Sequence, residues 1–473
     1  MVNKEAYRRS PALLGFCIFS FLVVLFGRYI PTSSFDLVQH FLLVDEIMKH
    51  AIVRPESFQR IGTMALYPPG AHWVASVIGW ITGSGLVGIV IVTIASAYLC
   101  YLFIAYLVGA STPANVLLFA FAFLALRFTR SQIGWEVVSN FFYPQLVADA
   151  VYFGVLLWAS NNHEDWKQAI IFMLAGTVSM WIQPLVAVHI LAAGCALMTF
   201  HVVENRKKKN AFIARDVIVL LLLVAASTAI ILANPAFSVM RNIASNDGDL
   251  VLGYNHLILV AVLCAVTGTF NLWKRLTGSA PYVDAVLGSA VIAAVCLAIL
   301  QFALLKLHGD GSAYAVKKHM FITVTLGIIN AVRAIANYFP QSKRQLPQGI
   351  AASLLAGFAS FFVLRGFNTP MPPILSAMAY ANHAANYQLP EFTPGDIVAD
   401  DSSLPLMGNV MISLTAFEHP FDARAISWQR GTNMKDGARY TMVVHTPEID
   451  QKCSGRLAES HSYVIVEPSC LKR

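Results

Sequence analysis

Apolar residues along this chain come in long blocks separated by short polar stretches. Blocks at about 12–30, 86–108, 113–128, 141–160, 213–233, 256–272, 284–305, 319–338 and 347–364 have roughly the 17–25 residues a helix needs to cross ~30 Å of hydrocarbon. A further block, about 168–203, is broken at Gln183-Pro184 and reads as two helices. Two shorter stretches behave differently, and both lie between the first and second blocks. From Asp36 to Lys49, Leu37, Phe41, Val44 and Met48 recur at helical spacing, which predicts an amphipathic helix lying in the membrane interface. From Tyr67-Pro68-Pro69 to Gly83 the chain is apolar but short, so it reads as a span or as a second interfacial helix. After Arg365 the pattern changes. Pro370, Pro372 and Pro373 read as a linker, and Tyr440–His445 and Tyr463–Glu467 alternate like strands.

These patterns predict an all-α polytopic membrane protein with about eleven transmembrane helices and two interfacial helices in the first outer loop. They divide the chain into a transmembrane domain at 1–365 and a small C-terminal α/β domain at 366–473. Composition agrees: 57% of residues are hydrophobic and 12% charged, against about 25% charged in soluble domains. A membrane β-barrel is excluded, because it would read as alternating segments of about ten residues.

Charge distribution chooses between the two readings of 67–83. Lys4, Arg8 and Arg9 precede the first block and place the N-terminus in the cytoplasm; with no small-residue cleavage site after the block, it reads as an uncleaved helix. If 67–83 only lies on the outer surface, the clusters Arg206–Lys209, Lys274-Arg275 and Lys343-Arg344 all face the cytoplasm. If it spans, all three face outward. The interfacial reading is therefore expected, with the first loop, 130–140, 234–255, 308–318 and the C-terminal tail outside. Arg127 and Arg130 then sit at an outer boundary against the usual bias, where an anionic group would explain them. The net charge of +7 reflects these loops and calls for no nucleic-acid partner. Cys17, Cys100, Cys195, Cys264 and Cys296 fall in apolar blocks as small hydrophobes. Cys453 and Cys470 stand in the tail, where an oxidising compartment would let them pair as a disulfide.

The candidate chemistry lies on the outer side. Asp36 and His40 are four residues apart and share a helical face; they suit a helix cap or a local ion pair, or else a partly desolvated general base. Glu136 follows Gly134 and Trp135 in an outer loop, as a solvated glutamate or beside an indole face suited to a sugar. Tyr314-Ala-Val-Lys317-Lys318-His319 puts cations at the outer end of a membrane helix. They read as snorkelling side chains or as a site for a lipid phosphate. No nucleotide loop, Ser-His-Asp order or Cys/His metal spacing appears, and His40 with His50 is a weak metal signal.

In this order and on one side, these features resemble the GT-C glycosyltransferases, integral membrane enzymes that use polyprenyl-phosphate sugars. The shared elements are Asp36 in the first outer loop, the interfacial helices around 36–49 and 70–83, the Tyr67-Pro68-Pro69 turn, Glu136, and a Tyr-x-x-Lys element matched by Tyr314 and Lys317. The resemblance covers roughly 10–340. It departs at the Pro-Pro turn, where many members carry a paired acid or a lysine and this chain has Tyr67. The layout is similar to bacterial enzymes that decorate O-antigen and other lipopolysaccharide or envelope glycans, including glucosyl- and arabinofuranosyltransferases. The resemblance implies an inner-membrane enzyme with a periplasmic tail, acting on a glycan or glycolipid acceptor.

It also implies roles. Asp36 would be the general base, with Glu136 or His40 orienting it or the acceptor. Lys317, Lys318, Arg130 and Tyr314 would bind the donor phosphate, and Tyr67, His72, Trp135 and His319 would line the groove. Phosphate is a good leaving group, so a divalent metal is possible but not obligatory. The rival class is a transporter or flippase for a lipid-linked or anionic substrate, marked by ionisable residues at mid-membrane. In this chain the helix centres read as almost clean.

Overall fold

The computed structural model describes residues 36–109, 133, 142–207, 213–235, 239, 257–278, 280–308, 313–338, 397–400, 426–429, 440–444, 446–454, 456–459 and 463–471. The expected spans at about 12–30, 113–128 and 347–364 lie outside the described residues, as does the proline linker. The chain divides into two compact units. The first comprises Met1–Leu22, Ala95–Val137 and Pro144–Pro370; the second comprises Val23–Ile94, Val138–Tyr143 and Met371–Arg473.

In the second unit, α1 (Asp36–His50) is followed by the short α2 (Ser57–Ile61), a 3-10 turn (Gly62–Leu66) and α3 (Gly70–Thr82). Asp36 in the first turn of α1, and Lys49 and His50 in its last, complement the helix dipole. Leu37, Leu43, Val44 and Ile47 are fully buried, with Phe41 and Leu42 nearly so. α1 is thus covered on more than the single face its periodicity predicts. Its main partner is α3, whose thirteen residues reach about 20 Å, short of a bilayer. Ala71, Ala75 and Gly79 form a small-residue stripe on α3, each one turn from the next and all buried. A Cβ on Gly79 would strike the Met48 sulfur, and one on Gly88 of α4 (Gly85–Leu107) would strike the Ala75 carbonyl. Bare backbone at these points lets the helices close. The other side of α3 leaves Val74, Val77 and Ile81 exposed, an apolar face suited to lipid.

The first unit holds the rest of α4 and α5 (Tyr143–Asn161, from Pro144), α6 (Asp165–Met180), α7 (Pro184–Lys207), α8 (Ile213–Ala233), α9 (Leu257–Leu276), α10 (Tyr282–His308) and α11 (Ala313–Tyr338). The break between α6 and α7 falls where Pro184 withholds a backbone donor. Among the described residues six helices, α4 and α7 to α11, are long and apolar enough to cross a membrane. Contacts at the helix ends show the directions. Near the C-terminal end of α7, His201 meets Gln168 near the start of α6 and Tyr282 at the start of α10. There too Asn205 bonds Asp216 at the start of α8, and Glu204 pairs with Arg275 at the end of α9. α7 and α9 therefore run antiparallel to α6, α8 and α10. Arg206, Lys207, Arg215, Lys274 and Arg275 all gather at this one end, the grouping expected for the cytoplasmic loops.

Two sequence expectations are corrected. The loop expected at 308–318 is shorter, because α11 begins at Ala313 and takes Tyr314, Lys317 and Lys318 into its first turns. Lysine and alanine are good helix formers, and a lysine stem can run along an apolar surface while its head stays polar. The helix centres were expected to be almost clean, yet Asp149 is buried near the centre of α5, and further polar groups are buried toward helix ends. Asp284 is fully buried and receives Arg333 Nε at 2.8 Å and Nη2 at 3.3 Å, while Arg333 Nη1 donates to the Val108 carbonyl at 3.4 Å. Asn271 and Asn330 bond each other at 2.9 Å. α5 buries Gln145, Asp149 and Tyr152 on one face, spaced i, i+4, i+7.

The tail residues of the second unit supply five strands in the order β2-β1-β3-β5-β4, with β1 Ile397–Asp400, β2 Ile426–Gln429, β3 Tyr440–Val444, β4 Arg456–Glu459 and β5 Tyr463–Val466. β1 runs parallel to β2 and β3, and β5 runs antiparallel to β3 and β4. Val443, Val464, Val466 and Cys453 form a small core. The helix α12 (Pro447–Lys452) is capped by Thr446, whose hydroxyl accepts from the Ile449 N–H. Cys453 is joined to Cys470 on α13 (Pro468–Leu471), 17 residues apart, with a Cα separation of 5.2 Å.

Candidate active site

Two polar clusters bear on the expected chemistry, one in each unit. In the second unit, α1 contributes His40 and α3 contributes His72, on helices held together by the small-residue stripe. His40 Nδ1 lies 3.0 Å from His72 Nε2. Tyr67, at the Pro-Pro turn, stands edge-on to both imidazoles, at 5.5 Å from His40 and 5.8 Å from His72. Tyr143 completes the box, edge-on to His40 and His72, its hydroxyl donating to the Ala71 carbonyl. His72 is fully buried, and that burial pushes its pKa down to about 3, against a weaker upward pull from the Pro68 carbonyl. At neutral pH the His72 ring is neutral. A neutral imidazole offers one N–H donor and one lone pair, so His72 can hold a polar neighbour inside this aromatic wall without bearing a charge.

The acids of the first loop are treated differently by the fold. Asp36 opens α1 and is exposed, one turn before His40. Glu46 is the buried acid, 1% exposed, and the Ser57 hydroxyl donates to its Oε1. Ser57 in turn accepts from the Arg54 N–H at 2.9 Å, so Glu46 ties the 51–57 turn to α1. Sequence reasoning did not single Glu46 out as a site residue. It stands beside Asp45, one turn before Lys49 and His50, and local spacing does not tell a buried acid from a solvated one. Its partner Ser57 is eleven residues on, beyond the end of the helix.

In the first unit the relevant residues are at the start of α11. Lys318 is buried, with Nζ 4.5 Å above the Tyr314 ring, a cation–π contact one turn long. His319 Nδ1 lies 2.9 Å from Nε2 of His189 on α7. His189 is five residues into α7 and His319 six into α11, so both rings sit about 8–9 Å below their helix starts. Both helices therefore point their N-termini to the end opposite the basic cluster. His189 escaped sequence reasoning because it is a lone histidine in an apolar block, 130 residues from its partner.

The fold thus brings Tyr67 and His72 to His40, and Tyr314 to Lys318 with His319 to His189. Asp36, His40, Tyr67 and His72 belong to the second unit, and Tyr314, Lys317, Lys318 and His319 to the first. Arg130, Trp135 and Glu136 lie outside the described residues. Among the described residues no group of three or more His, Cys, Asp or Glu is placed to hold a metal ion.

No family model matches this chain, and no curated protein matches it. Among solved structures, ArnT from Cupriavidus metallidurans bound to undecaprenyl phosphate has a TM-score of 0.45 at 14% identity, covering 98% of this chain and 98% of that chain. ArnT from the same organism in the apo state has a TM-score of 0.36 at 13% identity, covering 96% of this chain and 98% of that one. Both are weak overall likenesses.

Proposed function

We propose that the protein is a GT-C-type glycosyltransferase that moves a sugar from a polyprenyl-phosphate donor to an envelope glycan or glycolipid acceptor on the periplasmic face of a bacterial inner membrane. The observation that supports this best is the head of α11. There Tyr314, a buried Lys318 and His319 stand on the first turns of an apolar helix. Cations and an aromatic face suit the phosphate of a lipid carrier whose chain lies among apolar helices. The proposal keeps eleven membrane helices and a C-terminal periplasmic α/β domain at 366–473.

The reaction is one displacement at the anomeric carbon. The acceptor oxygen bonds to that carbon, the bond to the phosphate oxygen breaks, and the phosphate leaves with the electron pair. Asp36, exposed at the start of α1, takes the acceptor proton. His40, four residues on, orients the base or the acceptor, as would Glu136, with Tyr67, His72, Trp135 and His319 as groove residues. Lys317, Lys318, Arg130 and Tyr314 meet the growing charge on the phosphate. No step is routed through a metal.

The test is transfer of labelled sugar from a polyprenyl-phosphate donor by the purified protein in lipid. Asp36→Asn should lower turnover at least about a hundredfold while leaving expression intact, in line with loss of a general base. Lys317→Ala should raise the donor concentration needed. Full activity in Asp36→Asn would remove the assignment. One observation favours the transporter reading: Asp149 is a buried carboxyl on α5 whose Oδ2 has no hydrogen-bond partner among the described residues. In that case Asp149→Asn would abolish substrate flux in vesicles, with no sugar transfer by either protein.

A further inference from the structure

We propose that His189 and His319 act as a hydrogen-bonded pair in which His189 sets His319 to donate to a phosphate oxygen. The proposal rests on the donor-phosphate reading of the α11 head and adds a residue, His189, and a proton position to it.

His189 Nε2 and His319 Nδ1 lie 2.9 Å apart and share a single hydrogen. Two tautomeric arrangements satisfy it. In one, His319 Nδ1–H donates to His189 Nε2. His189 then carries its other hydrogen on Nδ1, and that atom is buried with no hydrogen-bond partner among the described residues. In the other, His189 Nε2–H donates to His319 Nδ1, and the orphan His189 Nδ1 is a bare lone pair. A buried N–H without an acceptor is rarer in proteins than a buried acceptor with a spare lone pair. The second arrangement is therefore the one the burial of His189 selects. His319 is then left with its hydrogen on Nε2, and it is half-buried rather than enclosed. A ring that presents N–H seeks an acceptor, and at this end of α11, with Lys317 and Lys318 in the first turns, the fitting acceptor is an anionic oxygen.

Phosphate chemistry makes the donor useful. A phosphodiester donor carries one negative charge and leaves as a monoester carrying up to two. A neutral N–H donor bonds the leaving oxygen more strongly as that charge grows, which favours the transition state over the ground state. His319 keeps its proton throughout, the acceptor proton goes to the base, and the electron pair of the broken bond stays on the phosphate. His189 touches no substrate in this scheme; it is a positioning residue.

The experiment uses the full chain in nanodiscs of neutral phosphatidylcholine, with undecaprenyl phosphate and, separately, inorganic phosphate as probes. Three proteins are compared: wild type, His189→Leu, which fills the space without a hydrogen bond, and His189→Gln, which keeps an N–H toward His319. Expected are a loss of about tenfold in undecaprenyl phosphate affinity for His189→Leu and a change of less than about threefold for His189→Gln, in line with one hydrogen bond to a charged group. Nitrogen NMR of labelled histidine should show His319 protonated on Nε2 in wild type and in His189→Gln. Equal affinity of wild type and His189→Leu, equal losses in Leu and Gln, or a His319 protonated on Nδ1 would each overturn the proposal. Saturable binding of inorganic phosphate with the same Leu-sensitive pattern supports the pair and makes the phosphate group its ligand. The same pattern for undecaprenyl phosphate alone supports it with the lipid carrier as ligand. Failure of wild type to bind either probe, with Nε2 protonation intact, would instead remove the donor-phosphate reading.

Discussion

Acidification from pH 7.5 to pH 5.0 should destabilise the second unit through one ring. His72 is fully buried and its pKa is pushed down to about 3 from an ordinary value of 6.5. Below pH 6.5 the unfolded chain binds a proton at this position and the folded chain does not. Stability is therefore complete above about pH 6.5 and falls as pH drops toward 3. At pH 5.0 the loss is about 1.5 pH units at 1.36 kcal/mol each, or roughly 2 kcal/mol. His40, 3.0 Å away, offers no relief, because a proton on His72 would face a second imidazole rather than a carboxylate. The assay is thermal unfolding in detergent at both pH values for wild type and His72→Gln, which cannot titrate. The wild-type midpoint should fall by several degrees more than that of the variant. Equal pH responses, or an NMR titration showing His72 protonated near pH 6.5, would refute the reasoning.

Other changes probe the packing. Arg333→Leu strands the buried carboxylate of Asp284 and should cost about 3–5 kcal/mol, read as a lost folded fraction on gel filtration; Arg333→Leu with Asp284→Leu should recover most of it. Gly88→Leu drives a side chain into the Ala75 carbonyl and should cost at least about 1–3 kcal/mol, seen as protease sensitivity around α3 and α4. Cys453 and Cys470 should resist thiol labelling until reduced. Replacing both with Ser removes a closure over 17 residues, worth about 3 kcal/mol by loop entropy, and should make the tail easier to digest.

Much of the helical architecture was legible because hydrophobic burial in a bilayer imposes length. The span expected at about 213–233 matches α8 at Ile213–Ala233, and the break at Gln183-Pro184 matches the gap between α6 and α7. The helix expected from Asp36 to Lys49 appears as Asp36–His50, with its terminal charges as read, but it is buried on more than the one face its spacing predicts. The start of α11 was misjudged because lysines look like loop residues, although their stems suit a helix surface. The buried ion pair was missed for a different reason. Asp284 and Arg333 are 49 residues apart, and neither signals its partner along the chain.

The candidate site divides the same way. The local pattern determined that Asp36 opens a helix, that His40 shares its face, that Tyr67 enters the next helix through two prolines, and that Lys317 and Lys318 stand at the head of a membrane segment. These are consequences of spacing, charge and backbone preference, which act between near neighbours. Tertiary structure alone decided that His72 meets His40, that Glu46 rather than Asp36 is the buried acid, and that His189 meets His319. Those pairings depend on which faces of distant helices close on one another, and at α3 that closure was set by the missing side chains of Gly79 and Gly88.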